Sequence, residues 1–274
     1  MTLDSHAQPR QPSLFLPHGG GPCFFMDWTW GPADTWKKTE QFLAGLAATL
    51  PATPTAMVVV SGHWEAPAFT AGAAAAPGLI YDYSGFPEHT YRLSWPAPGN
   101  PELAARVAEM LRQAGLLAEA DSGRGYDHGV FVPLKVAFPG AEIPVVPLSL
   151  EMSLDPALHL AAGKVLAPLR DEGVLIVASG MSFHNLRAYL RPETAERARD
   201  FDAWLTQAVE LPAPRRAERL ANWRSAPFAA FAHPREEHLI PLMVAAGAGG
   251  EAPGRQVFSD APMGAAISAF RFDG

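Results

Sequence analysis

The sequence predicts an α/β fold, a single domain built on a central, mostly parallel mixed sheet flanked by helices. Three observations predict it. Residues 14–16, 56–60, 143–148 and 174–178 are short runs rich in Val, Ile and Leu without alternation, the pattern of strands covered on both faces. Segments of helical periodicity lie between these runs. No internal repeat or compositional break divides the 274 residues, a length that suits one large α/β domain.

The elements follow in order. Residues 1–11 are polar, lack the apolar core of a signal peptide, and are expected to form a flexible N-terminal tail, with the domain spanning 12–274. The first strand, 14–16, is followed by a helix over 35–50 with Asp34 as its N-cap, and then by the strand 56–60. Residues 77–100 form a long loop rich in aromatics, Gly and Pro, of a length that is often functional. Asn100 and Pro101 supply the cap and first position of a helix over 101–114. "GYDHGVFVPL" reads as a loop entering a helix, with His128 still in the loop. After the strand 143–148, Asp155 and Pro156 open a helix over 157–169, the strand 174–178 follows, and a helix covers 192–209. A last helix is expected to begin near Pro234 and to continue through 239–246.

Composition narrows the function classes. With 48% hydrophobic and 18% charged residues, the chain can bury a substantial core. A formal net charge of -7 and no basic run argue against nucleic acid as a partner. The single cysteine, Cys23, excludes an internal disulfide framework and any multi-cysteine zinc site. No apolar run reaches the ~18 residues of a membrane span. A soluble, cytoplasmic protein is the expectation.

The nine histidines fall into two groups. His6 in the polar tail and His159 on an amphipathic helix read as surface positions. His18, His63 and His184 differ, because each follows a strand-like run and a few small or flexible residues: "LFLPH", "VVVSGH" and "VASGMSFH". Ligands of open parallel sheets bind outside the carboxyl ends of the strands. The three imidazoles therefore converge on one crevice, and neutral imidazole is the commonest protein metal ligand. His128 has Asp127 beside it, and a neighbouring carboxylate can orient an imidazole and tune its basicity. His233 and His238 are five apart and do not share a helix face, so only one points inward. His238 is preferred, since it leads into the apolar run "LIPLMVAAGA"; His233 and His89 read as structural or pocket-wall residues.

"HGGG" after the first strand is also the oxyanion-hole signature of many esterases. That reading needs a G-x-S-x-G elbow, and the nearest stretch, "GMSFH", carries His184 where the second glycine belongs. An esterase-like hydrolase is a distant third choice. Neither a P-loop nor a dinucleotide fingerprint is present.

Eight stretches, "LFLPHGGGP", "VVVSGHWE", "YDYSGFP", "PAPGNPELA", "GYDHGVFVPL", "IPVVPLSL", "VASGMSFHNLR" and "REEHLIPLMVAAGA", together resemble the class III extradiol ring-cleaving dioxygenases in this order. The nearest likeness is to the DOPA-dioxygenase-like branch, related to the catalytic subunit of protocatechuate 4,5-dioxygenase, and it runs from about residue 12 to 272. The resemblance implies an α/β catalytic domain with a metal at the strand carboxyl ends. It implies His18, His63 and His238 as metal ligands and His128 and His184 as acid/base histidines, with His184 also a possible fourth ligand. Relatives in the wider class carry a glutamate where His238 stands, and Glu237 lies beside it. Fe(II) is the metal expected for ring cleavage, and an all-imidazole set also admits Zn(II). The implied partners are a small-molecule catechol and O2, with the chain a monomer or small homo-oligomer. A zinc-binding relative without turnover is the alternative. Tyr81, Tyr83, Phe86 and Tyr91 are candidate walls of the substrate pocket, and Arg92, Arg124 and Arg187 are candidate partners for a substrate carboxylate.

Overall fold

Four apolar strands that pair in parallel form the middle of the sheet. The computed structural model describes residues 8–274, so His6 lies outside it. Its strands are β1 (Ser13–Pro17), β2 (Ala56–Ala66), β3 (Phe69–Gly72), β4 (Ala118–Asp121), β5 (Val145–Glu151), β6 (Val174–Gly180), β7 (Arg255–Asp260) and β8 (Ile267–Phe272). Among the described residues they form one sheet in the order β4-β3-β5-β2-β6-β1-β8-β7. Its centre, β5-β2-β6-β1, is parallel, while β3 against β5, β8 against β1 and β7 against β8 run antiparallel.

The lack of alternation in the central strands is explained by what covers them. Leu14, Leu16, Met57, Val59, Leu175 and Val177 face one apolar layer, and Phe15, Val58, Val60, Ile176 and Ala178 face the other. Helices α1 (Lys37–Gly45) and α3 (His128–Ala137) pack on the first side. On the second lie α2 (Pro101–Gln113), α4 (Pro156–Leu166), α5 (Thr194–Val209), α6 (Ala213–Ala221), α7 (Ala229–Ala232) and α8 (Pro241–Ala248). Each fully buried Val, Leu or Ile contributes about 1.5–3 kcal/mol relative to exposure, so these strands anchor the fold.

Two caps expected from the sequence form. Asn100 accepts from the Leu103 amide at 3.0 Å, and Asp155 accepts from Ala157 and Leu158. The third does not, because residues around Asp34 make a turn and α1 starts only at Lys37, after Trp36 and without a side-chain cap. The last helix also begins later than expected. Residues 237–240 form a turn closed by the Leu239 and Ile240 amides on Glu236 O, and α8 starts at Pro241, whose missing N–H is harmless there. The outer strands β3, β4, β7 and β8, of which β4 and β7 form the edges, were not anticipated; each is at most six residues long and carries no continuous apolar run.

One further expectation is corrected. His159 is fully buried, not at the surface. Its Nε2 accepts from the Glu151 amide at 3.1 Å and its Nδ1 donates to Asp155 O at 2.7 Å, so both ring nitrogens are satisfied where α4 meets β5. Gln11 is buried, its amide donates to Arg170 O, and its side chain donates to Ala52 O at 3.0 Å.

Helices α4 and α8 touch backbone to backbone. A Cβ on Gly163 would lie 2.1 Å from Val244 O, and one on Gly247 would lie 2.1 Å from Leu160 O. Because α8 continues from the turn that carries His238, this interlock also sets the height of that histidine above the sheet. Gly163→Ala or Gly247→Ala is expected to force the helices apart and destabilise the fold by about 1–3 kcal/mol. A lowered urea midpoint with an unchanged m-value checks this.

Candidate metal centre

Five histidines meet at the carboxyl edge of the parallel strands. His18 follows Pro17, the last residue of β1, and its amide donates to Gly180 O at the end of β6 at 3.2 Å. His63 lies inside β2, beyond the point where the sequence pattern ends the strand. There the register with β5 shifts, so that Val60 faces Leu148 and Glu65 faces Leu150. Such an irregularity re-aims side chains, and His63 sits on it. His128 is the first residue of α3, not a loop residue. Asp127 caps that helix by accepting from the Val130 amide at 3.2 Å. His184 is held by its amide on Ala232 O, and His238 sits in the turn before α8.

Close approach of the His238 turn needs glycine on both neighbouring strands. A Cβ on Gly180 would lie 2.2 Å from His238 O, and one on Gly62 would lie 3.0 Å from Glu237 O. With no side chain in the way, the Met181 amide donates to His238 O at 3.0 Å.

The rings are mutually close. Centroid separations are 4.8 Å for His18–His63, 5.2 Å for His18–His238 and 4.6 Å for His63–His238. His128 lies 3.9 Å from His63, and His184 stacks on His238 at 3.4 Å with an angle of 15° between planes. His18, His63 and His238 each offer a ring nitrogen within 4.8 Å of the others, a group able to hold a metal ion. Two further groups, His63–Asp82–His128 and His184–Glu237–His238, share members with it.

Carboxylates and one backbone carbonyl set the tautomers. Nδ1 of His238 donates to Glu237 Oε1 at 2.9 Å and Nδ1 of His18 donates to Gly19 O at 3.0 Å, so both rings keep a lone pair on Nε2. His128 Nδ1 donates to Asp82 Oδ1 at 2.8 Å, and His63 Nδ1 stands 3.7 Å from Asp82 Oδ2. Burial, reinforced by the neighbouring imidazoles, lowers His63 to about 3 and holds His18 and His238 well below the ordinary histidine value. At neutral pH these three rings are therefore neutral. Burial pushes the Asp82 carboxyl up, but its bonds to His128 outweigh this and bring it down to about 2.

The donors fit a cation. His238 Nε2 faces His63 Nε2 at 3.1 Å, while His18 Nε2 is buried without a hydrogen-bond partner. One proton can join only two of these three nitrogens. A divalent ion can satisfy all three.

The carboxylate that orients His128 is not its neighbour in sequence. Asp127 is occupied by the Ser61 hydroxyl at 2.7 Å, Arg124 at 2.9 Å and the helix cap, and Asp82 from the long loop performs the task. The sequence signal was available, an acid flanked by tyrosines in a loop already singled out. His233 is a structural residue, buried, with Nε2 donating to Ser182 O at 2.9 Å. His89 donates its Nε2–H to Phe25 O at 2.9 Å. Ser182 of "GMSFH" accepts from the Ser268 amide at 2.8 Å.

A cavity of about 570 Å³ opens over the histidines, lined by His18, His63, His128, His184 and His238. Of the four expected aromatic walls, Tyr83 and Phe86 line it. Tyr81 and Tyr91 do not: Tyr81 OH donates to Leu93 O at 2.6 Å, and Tyr91 OH accepts from the Phe86 amide at 3.3 Å, so both brace the loop. Trp28, Trp30 and Trp36 form a wall that was not anticipated, although "DWTWGPADTW" follows the glycine turn directly.

Residues 12–271 match the family model described as the catalytic LigB subunit of aromatic ring-opening dioxygenase. A 4,5-DOPA dioxygenase extradiol of Portulaca grandiflora is 38% identical over 245 residues, covering 87% of this chain and 86% of the relative. The dioxygenase tasH of Hapsidospora irregularis is 36% identical over 277 residues, covering 96% of this chain and 86% of that protein. A crystal structure of an uncharacterized protein from Escherichia coli K12 superposes with a TM-score of 0.76 at 31% identity, covering 96% of this chain and 100% of that one. With its fold, its cluster of strand-end histidines and these matches in agreement, this chain belongs to the family of the catalytic LigB subunit of aromatic ring-opening dioxygenase.

Proposed function

We propose that this protein opens the ring of a small-molecule catechol with O2, as an extradiol dioxygenase, at a non-haem metal held by His18, His63 and His238. The observation that carries the ligand assignment is the buried, unpartnered Nε2 of His18 beside the facing nitrogens of His63 and His238. Relatives named 4,5-DOPA dioxygenase extradiol, at 34% identity in Escherichia coli and up to 39% in Beta vulgaris, support the reaction class. Fe(II) bound there would supply a Lewis acid that lowers the catechol pKa and a one-electron relay to O2.

The chain's own residues supply the proton chemistry. A catechol hydroxyl ordinarily ionises near the Tyr value of ~10, so a base must accept its proton near neutral pH. His128 and His184 both line the cavity, on either side of the ligand group. His128 keeps its Nδ1–H on Asp82, which leaves Nε2 as the proton acceptor. His184 lies face to face with His238, and its Nδ1 stands 3.4 Å from Glu237 Oε1. We assign His184 to acid/base work, beside a ligand group of His18, His63 and His238. Trp28, Trp36 and Phe86 supply apolar walls beside the histidines.

The all-imidazole donor set favours a second reading, a Zn(II)-binding relative without turnover, since zinc has no accessible redox change. Anaerobic loading with Fe(II), followed by a catechol and air, separates the two. A yellow ring-fission product with matching O2 uptake is expected, and neither signal across a broad catechol panel would leave the zinc reading.

His18→Ala and His63→Ala are expected to lose bound metal by elemental analysis; full occupancy in both would refute the ligand assignment. His128→Ala and His184→Ala should instead retain metal and lose turnover by about 10²–10⁴-fold. Asp82→Asn should lower turnover by about 10–100-fold through the orientation of His128, with metal content unchanged.

A further inference from the structure

The cavity over the histidines carries information about the substituent on the ring as well as about the ring. Its lining beyond the histidines and the glycine turn is Trp28, Trp30, Trp36, Tyr83, Ser84, Phe86, Met181, Leu186, Tyr189, Leu190 and Met263. No Lys or Arg is among these described residues. Of the three arginines singled out in the sequence, two are engaged and none lines this cavity. Arg92 pairs with Glu88, and Arg124 pairs with buried Asp127 at 2.9 Å and covers the Trp64 ring. Arg187 lines a neighbouring cavity that shares His184 and Leu186 with this one and also holds Glu237.

The mouth of the cavity is apolar in an unusual way. Leu186, Leu190 and Trp30 are 68%, 66% and 54% exposed, three of the six large hydrophobic residues left exposed among the described residues. Burial does not explain them. Two rim residues are also held in left-handed backbone conformations that side chains rarely adopt, Leu190 at φ +65° and Met263 at φ +52°, joined by the Leu190 amide on Met263 O at 3.3 Å. At this rim the left-handed backbone of Leu190 and Met263 and the exposed apolar side chains of Trp30, Leu186 and Leu190 border one cavity, an arrangement suited to an apolar ligand group.

We propose that the substrate is a catechol bearing an uncharged, apolar substituent, which lies along Trp30, Leu186, Leu190 and Met263 at the cavity mouth. The inference rests on the ring-cleavage reading above and specifies its substrate. A single diol ring fills only a fraction of about 570 Å³, so space remains for a substituent of comparable size. A carboxylate there would meet an apolar surface with no Lys or Arg among the cavity's lining residues, while Glu237 and Asp82 stand behind the histidines. An apolar group there removes the exposed rim from water.

The test is anaerobic calorimetric titration of the Fe(II)-loaded protein with two probes of equal ring chemistry, 4-tert-butylcatechol and 3-(3,4-dihydroxyphenyl)propionate. The apolar probe is expected to bind at least about tenfold more tightly. In a Leu186→Ser/Leu190→Gly double variant that preference should shrink by about tenfold. Glycine accepts φ +65° without strain, so Leu190→Gly alone should leave Tm unchanged or raised, which separates lost contact from lost fold. Equal binding of the two probes, tighter binding of the carboxylate, or an unchanged preference in the double variant overturns the inference and leaves ring cleavage standing. Binding of neither probe also overturns it, and O2 uptake on unsubstituted catechol then tells whether the ring-cleavage reading falls with it.

Discussion

The Met181 amide donates to the carbonyl of His238, and Gly180 has no Cβ to prevent it. The site depends on this contact because His238 is the one member of the His18–His63–His238 group that no strand carries. His18 extends β1 and His63 rides within β2, so their separation follows from the sheet. His238 reaches them only if its turn can lie against the ends of β6 and β2. Glycines at 180 and 62 allow that, and the glycine interlock of α4 with α8 holds the helix behind the turn at the matching height. The same substitution pattern, small residues where backbones meet, thus serves the core and the site together.

Burial determines the electrostatic state of the cluster. Five imidazoles this close would repel one another if protonated, and desolvation keeps His18, His63 and His238 neutral instead. The negative charge that a cation requires nearby comes from Asp82 and Glu237, which sit behind the rings and bond to Nδ1 atoms. Carboxylates in that position orient the imidazoles and strengthen them as donors without occupying ligand positions themselves. An all-histidine triad can in this way retain much of the electrostatic support that a direct glutamate ligand would provide.

The two helix layers contribute unequally to the cavity. On one side α3 brings His128, and its sequence, with Gly129, Val130, Val132 and Pro133 in the first turns, has weak intrinsic helicity. The Asp127 cap and burial of residues 128–134 hold it in place. The opposite wall comes from loops, the tryptophan stretch after β1 and the segment from His184 to Leu190. Strand ends and the start of α3 position His18, His63 and His128, whereas His184, His238 and Asp82 come from loops and turns that the packing fixes.

The sequence by itself determined the central architecture and the inner histidines. Continuous apolar runs report burial on both faces of a strand, and a histidine placed just after such a run lies at the strand's end whatever the loops do. His18, His63 and His184 were legible for that reason, and His128 and His238 through the motifs around them. Only the tertiary structure decided the rest. The edge strands pair through backbone groups that leave little side-chain pattern. His159 is buried because both its ring nitrogens find backbone partners, which periodicity cannot show. Asp82 reaches His128 across 46 positions of chain, displacing the nearer Asp127, and Tyr83 enters the cavity while Tyr81 turns away to brace its loop. Local pattern encodes which face of an element is dry, whereas the partner that a polar side chain meets depends on how distant loops pack.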